Sequence, residues 1–253
     1  MRAAAHLRSI LPATLVLTLI SSACNQADEI RTQALAESQA ITFESSDGVE
    51  LAGRLFGPDD ATAGIVMAHM LPADQSSWFD FADRVGELGY RVLTFDFRGY
   101  CPGGDAGCSQ GTKRVSALWQ DVQGAVDYLK EQGTKRIGLV GASMGGTASL
   151  VVASRSDEAI RAVVTLSAPV SIDGLVAGPE ILAATNAAKL FIAGNGDGVA
   201  AQSAQAFFDQ SAPPKRVEIL TTADHGTDLL EGNQGEIARN LIIGWLEQYV
   251  QPI

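Results

Sequence analysis

Five short, unbroken apolar runs, at residues 63–68, 91–97, 136–140, 162–166 and 189–193, recur along the chain with helix-length stretches between most of them. A strand that is apolar on both faces has no solvent side, so it belongs inside a parallel sheet covered by helices. Parallel neighbours need crossover connections, and the stretches 78–88, 115–132, 145–154, 200–210 and 236–249 have helical patterning. Residues 217–221 supply a last strand. Before the first apolar run, alternating segments at 41–44 and 49–56 flank Asp47-Gly48, a hairpin signal between antiparallel strands. The expected fold is therefore α/β: a mostly parallel, doubly wound sheet of about eight strands with an N-terminal antiparallel hairpin. With 253 residues, 46% of them hydrophobic, and no internal Pro/Ser/Gly linker, one domain over 40–253 is expected. A formal charge of -11 opposes a phosphate-binding surface, so nucleic acid is excluded as a partner.

The first residues are of another kind. Arg2 and Arg8 precede an apolar run over 10–20, followed by Ser21-Ser22-Ala23-Cys24. That is the layout of an export signal, and the run is about half the length a membrane-spanning helix needs. Its end resembles a bacterial lipoprotein signal, which implies removal of residues 1–23 and lipidation of Cys24. Residues 24–39 then form a tether, and the protein is held to a membrane on its extracytoplasmic side. Without lipidation it would be secreted or periplasmic. In either case Cys101 and Cys108, in a Gly-rich loop of an exported chain, are expected to form a disulfide rather than a zinc site. Closing so short a ring contributes about 2 to 3 kcal/mol in the chain-entropy model.

In a doubly wound sheet, chemistry lies at the carboxyl ends of the strands. The run 136–140 leads into Gly141-Ala142-Ser143-Met144-Gly145, a Gly-x-Ser-x-Gly set between strand and helix. A serine on so tight a turn projects above the sheet, and the Met144 N–H behind it points at a developing oxyanion. Its hydroxyl needs a base. Of the three histidines His6 lies in the signal, leaving His225, after the last strand, and His69, after the third. His225 is the preferred base. Asp197, closing the Gly194-Asn195-Gly196-Asp197 turn, is the preferred acid to orient it, with Asp224 next; Asp197 could instead serve only its turn. Asp96 is expected to bond Arg98. Trp78, Tyr100 and Met144 are candidates for an acyl pocket.

Taken in the order Ser143, Asp197, His225, these residues resemble the α/β-hydrolase family, in particular its small lidless members such as dienelactone hydrolases and short-chain esterases. The likeness includes His69-Met70-Leu71, similar to the family's oxyanion segment, with Met70 where Gly is usual, and Asp96-Phe97-Arg98-Gly99, similar to its fourth-strand turn. It implies a structural His69 and a Leu71 N–H as second oxyanion donor. The stretch 171–188 has room for one small helix and no lid domain, so an open site is expected. The activity implied is a serine hydrolase acting on a small-molecule ester or related acyl compound, with no metal or cofactor. Peptidase and thioesterase chemistry stay open, as does a non-catalytic binding or scaffold lipoprotein on the same fold.

Overall fold

The computed structural model describes residue 32 and residues 35–155 and 158–251. The signal segment, Cys24 and most of the tether lie outside the described residues. Eight strands form one sheet in the order β1-β2-β4-β3-β5-β6-β9-β10. They are β1 (Gln39–Glu44), β2 (Glu50–Phe56), β3 (Ala63–Ala68), β4 (Arg91–Phe95), β5 (Arg136–Ala142), β6 (Ile160–Leu166), β9 (Ala188–Gly194) and β10 (Lys215–Leu220). The β1–β2 hairpin and the β2–β4 pair are antiparallel, and every later pair in the sheet is parallel. Burial follows position: β3, β4 and β9 are buried throughout, whereas the edge strands β1 and β10 are exposed or half-buried at all but one residue each.

Apolar side chains on the two faces of the sheet feed two cores. One takes α2 (Leu118–Glu131), α3 (Met144–Ala153) and α5 (Gly198–Gln210); the other takes α1 (Phe79–Glu87) and α6 (Gly235–Tyr249). Helix α3 is buried at every residue from Met144 to Leu150, so its apolar character is not confined to one stripe.

Several boundaries depart from the sequence expectation for identifiable reasons. The fourth strand stops at Phe95 because Phe97 donates its N–H to a side chain, the His69 ring, at 3.1 Å. The 115–132 stretch opens with a 3-10 turn, Val115–Ala117, before α2 begins. Between β6 and β9 lies a small hairpin, β7 (Ser171–Ile172) with β8 (Leu175–Val176), as well as one short helix, α4 (Pro179–Ala184). Its loop is Asp173-Gly174, with φ of 44° and 83°, the left-handed pair that a two-residue hairpin turn needs.

A buried ionic cluster pins the N-terminal hairpin to the sheet. Arg98 Nε donates to Asp121 Oδ1 at 2.8 Å, and its terminal nitrogens reach Asp47 Oδ2 at 2.9 Å and Oδ1 at 2.5 Å. Arg98 N–H also donates to Asp121 Oδ2. The guanidinium holds the Asp47 carboxyl down at about 2. The expected Asp96–Arg98 bond is thus replaced. Asp96 instead accepts from Gln75 N and Nε2, both at 3.0 Å, while the Arg98 guanidinium is turned to Asp47 and Asp121.

Candidate active site

The turn from β5 into α3 is tight enough to forbid side chains on both sides of Ser143. A Cβ on Gly141 would strike the Gly145 backbone, and one on Gly145 would strike the carbonyls of Ala68 and His69. Ser143 itself sits at φ 49°, ψ -119°, a conformation that costs a non-glycine residue of order 1 to 3 kcal/mol. The backbone around it supports that strain. Ser143 N–H donates to Leu166 O at 2.8 Å, and its carbonyl accepts from Gly146 N and Thr147 N at 2.9 and 3.1 Å. As the first residue of α3, Met144 has no acceptor for its N–H within the helix.

Asp197 and His225 stand on two neighbouring loops that are zipped together by backbone contacts. Asn195 N–H donates to Leu220 O at 2.8 Å and Gly196 N–H to Thr222 O at 2.9 Å. Gly196 is packed so closely on Ala223 that a Cβ there would lie 2.8 Å from the Ala223 Cβ. Across this contact His225 Nδ1 meets Asp197 Oδ2 at 2.6 Å. An ionised carboxylate only accepts, so Nδ1 carries the proton of this bond, and in the neutral ring the lone pair falls on Nε2. Asp197 occupies the N-cap of α5, where an aspartate ordinarily bonds its own helix, yet its side chain makes no capping bond. Its carboxylate is turned to the histidine. Asp224, the other acid considered, is engaged with Thr222 Oγ1 at 2.6 Å.

The His225 loop also reaches the serine turn. Gly226, at φ 58°, lies so close to Ala142 that an added Cβ would sit 3.4 Å from the Ala142 side chain, and it would overlap the sulfur of Met70. Met70 is buried and fills that space, which accounts for methionine at a position where the sequence resemblance leads one to expect glycine. Leu71, three residues past the end of β3, is 42% exposed, and Val199, two residues past Asp197, is 74% exposed.

His69 is inaccessible to solvent. Its Nδ1 bonds Met70 O at 2.9 Å, and Nε2 accepts from Phe97 N, which requires the neutral ring. Burial pushes its pKa down to about 4. Burial also pushes the neighbouring Asp96 carboxyl up to about 7, against the two Gln75 N–H bonds. The signs oppose. Stability supplied by neutral His69 is complete above its ordinary 6.5 and is lost as pH falls toward 4, and Asp96 loses stability as pH rises from 3.8 to 7. Replacing His69 by Gln removes the first contribution. The stability gap between wild type and variant is therefore expected to widen by about 3 kcal/mol from pH 4 to pH 7, measured by urea unfolding at both.

The three pocket candidates are all buried. Trp78 has no accessible surface and belongs to the core beside Phe56 and Phe79. Tyr100, 7% exposed, is covered by the His69 ring at 4.7 Å and by the Lys113 ammonium at 3.9 Å. The Met144 side chain is likewise fully buried. Cys101 and Cys108 are joined by a disulfide. Among the described residues no group of three or more His, Cys, Asp or Glu is placed to hold a metal. Gln75, which ties this region together, carried no signal in the sequence, being one polar residue in a polar stretch.

A family model described as alpha/beta hydrolase fold matches residues 65–208, more than half of the chain. The chain belongs to the alpha/beta hydrolase fold family. The matched segment of this hydrolase-fold chain takes in Ser143 and Asp197, and His225 lies beyond it. The uncharacterised protein YfhR of Escherichia coli K12 is 26% identical over 241 residues, covering 85% of this chain and 82% of that protein. Among solved structures, an esterase of Pyrococcus furiosus superposes with a TM-score of 0.72 at 18% identity, covering 87% of this chain and 94% of that one. A dienelactone hydrolase of Anabaena variabilis does so with a TM-score of 0.68 at 23% identity, covering 85% and 100%. At these identities the likeness is one of hydrolase fold.

Proposed function

We propose that this alpha/beta hydrolase is a serine hydrolase cleaving an ester or related acyl bond of a small molecule. The observation that carries the reading is the 2.6 Å bond between His225 and an Asp197 that forgoes capping its own helix. In this scheme Ser143 Oγ attacks the acyl carbon as its proton passes to His225 Nε2. Asp197 holds the imidazole tautomer and stabilises the imidazolium, and the N–H groups of Met144 and Leu71 receive the oxyanion. The proton then moves from His225 to the leaving oxygen, the alcohol departs, and water, activated by the same histidine, releases the acid. Nothing in these steps calls for a cofactor. We further read the protein as exported and anchored through lipidated Cys24, a reading supported by the Cys101–Cys108 disulfide, since such bonds persist outside reducing compartments.

The test is a panel of p-nitrophenyl esters of increasing chain length, run beside labelling with a fluorophosphonate probe and peptide mapping of the label. Turnover with the label on Ser143 is expected. A folded protein that neither labels nor turns over would favour the binding or scaffold role on the same fold.

A further inference from the structure

The segment from His69 to Gln75, which includes Leu71, is held by one clamp at each end, one resting on the residue that precedes the disulfide ring and the other on the ring itself. At the first end the His69 ring bonds Met70 O and Phe97 N, and it is wedged between Phe97 and Tyr100 at centroid distances of 4.8 and 4.7 Å. Tyr100 directly precedes Cys101. At the second end the fully buried Gln75 donates to Asp96 from its backbone and its side chain, accepts from Thr94 Oγ1 at 2.9 Å, and donates from Nε2 to Ala106 O. Ala106 lies inside the ring and is the one residue of 101–108 that is buried.

The covalent closure restricts a loop that is otherwise costly to order. Gly103, Gly104 and Gly107 all adopt positive φ, and glycine loses the most conformational freedom on ordering. The noncovalent ties on it are a two-glycine bridge, Gly103 with Gly107, bonds of 3.3 Å from Arg54 to Asp105 O, the Gln75 bond to Ala106 O and, at its neck, the Ser109 N–H donating to Tyr100 O at 2.8 Å. Cys101 and Cys108 are both exposed, so a thiol reductant has access to them.

We propose that the closed Cys101–Cys108 ring positions the Met70–Leu71 segment, through Tyr100 on His69 and Ala106 on Gln75, and so makes turnover depend on the redox state of the ring. The catalytic half of this rests on the serine-hydrolase reading. Chemically, one thiolate of a dithiol attacks a ring sulfur and displaces the other cysteine as thiolate. The second thiolate of the dithiol then cleaves the mixed disulfide, leaving two cysteine thiols and an oxidised dithiol, with two electrons and two protons transferred in all.

The test uses the full chain carrying Cys24→Ser, so that a thiol count reports the ring alone, with dithiothreitol as reductant and no denaturant. Once two thiols are titrated, kcat for a p-nitrophenyl ester is expected to fall about tenfold with KM within about twofold, since misplacing one oxyanion donor affects the transition state more than the ground state. Amide hydrogen exchange at Met70 and Leu71 should quicken while that of α3 stays constant, and reoxidation should restore both readouts. A Cys101→Ala/Cys108→Ala variant should sit at the reduced level and ignore dithiothreitol. Unchanged kcat and exchange after two thiols appear would overturn the proposal, as would loss of far-UV circular dichroism together with activity, which would make the ring a support of the whole fold. If neither redox form turns over, the serine-hydrolase reading fails on its own. Exchange at Met70 and Leu71 then decides the positioning role, quickening in its favour and constancy against it.

Discussion

Ser143→Ala is expected to lower kcat on p-nitrophenyl esters by roughly 10⁵-fold or more while leaving the fold intact. The side chain is the part that matters, because the turn is held by backbone bonds that alanine keeps: the N–H to Leu166 O and the carbonyl to Gly146 N and Thr147 N. Asp197→Asn should lower kcat by about 10⁴-fold, since an amide in that place favours the wrong imidazole tautomer. The double variant should be no worse than Ser143→Ala alone, because residues that act as one unit do not add. Steady-state kinetics on the three purified variants, with thermal unfolding alongside, checks all of this. A fully active Ser143→Ala would remove the nucleophile from the scheme, and losses that multiply in the double variant would separate Asp197 from it.

The largest expected effect on stability is at Asp121. Asp121→Ala should cost about 3 to 5 kcal/mol, because it leaves the buried Arg98 guanidinium with Asp47 as its remaining carboxylate partner. For a domain of this size that is a drop in Tm of about 10 °C or more. Breaking the exposed Arg84–Glu236 pair with Glu236→Ala is the matched control, and Tm should stay where it was, since such pairs contribute little in water. Differential scanning calorimetry on the two variants makes the comparison, and equal losses would mean that the buried cluster is no more valuable than a surface pair.

Much of this architecture is legible in the chain because it is written in local, periodic terms. The apolar runs at β3 and β9 have no polar face, and the spacing of Gly141 and Gly145 around Ser143 encodes a bend that tolerates no side chain there. The small hairpin between β6 and β9 has a turn signal of its own, Asp173-Gly174, but strands of two residues are too short to show a pattern. Long-range pairing of side chains has no such signature. Arg98 finds Asp47 across 51 positions, and Gln75 rather than Arg98 partners Asp96, a choice made by which groups the folded sheet brings together. Lys189 reads as a strand's opening charge. It is fully buried instead, its ammonium donating to the carbonyls of Thr185 and Ala187 at 2.9 Å, and burial lowers its pKa. Trp78 shows the converse. An aromatic residue after the third strand suits a pocket or a core equally well in sequence, and the packing of α1 decides for the core.

The order of the sheet bears on how the molecule is made. The β1–β2 hairpin is completed first as the chain grows, yet its neighbour in the sheet is β4, which is synthesised after β3 and α1. Until Phe95 has emerged, β2 has one side with no strand to pair with, and the Arg98 that pins the hairpin must then await Asp121. The N-terminal hairpin is thus the first element of the sheet to be made, yet it is locked in place only once Asp121 has followed. For the length of about 70 residues it travels with an open, partly apolar edge, the interval in which a nascent chain is most exposed to wrong partners.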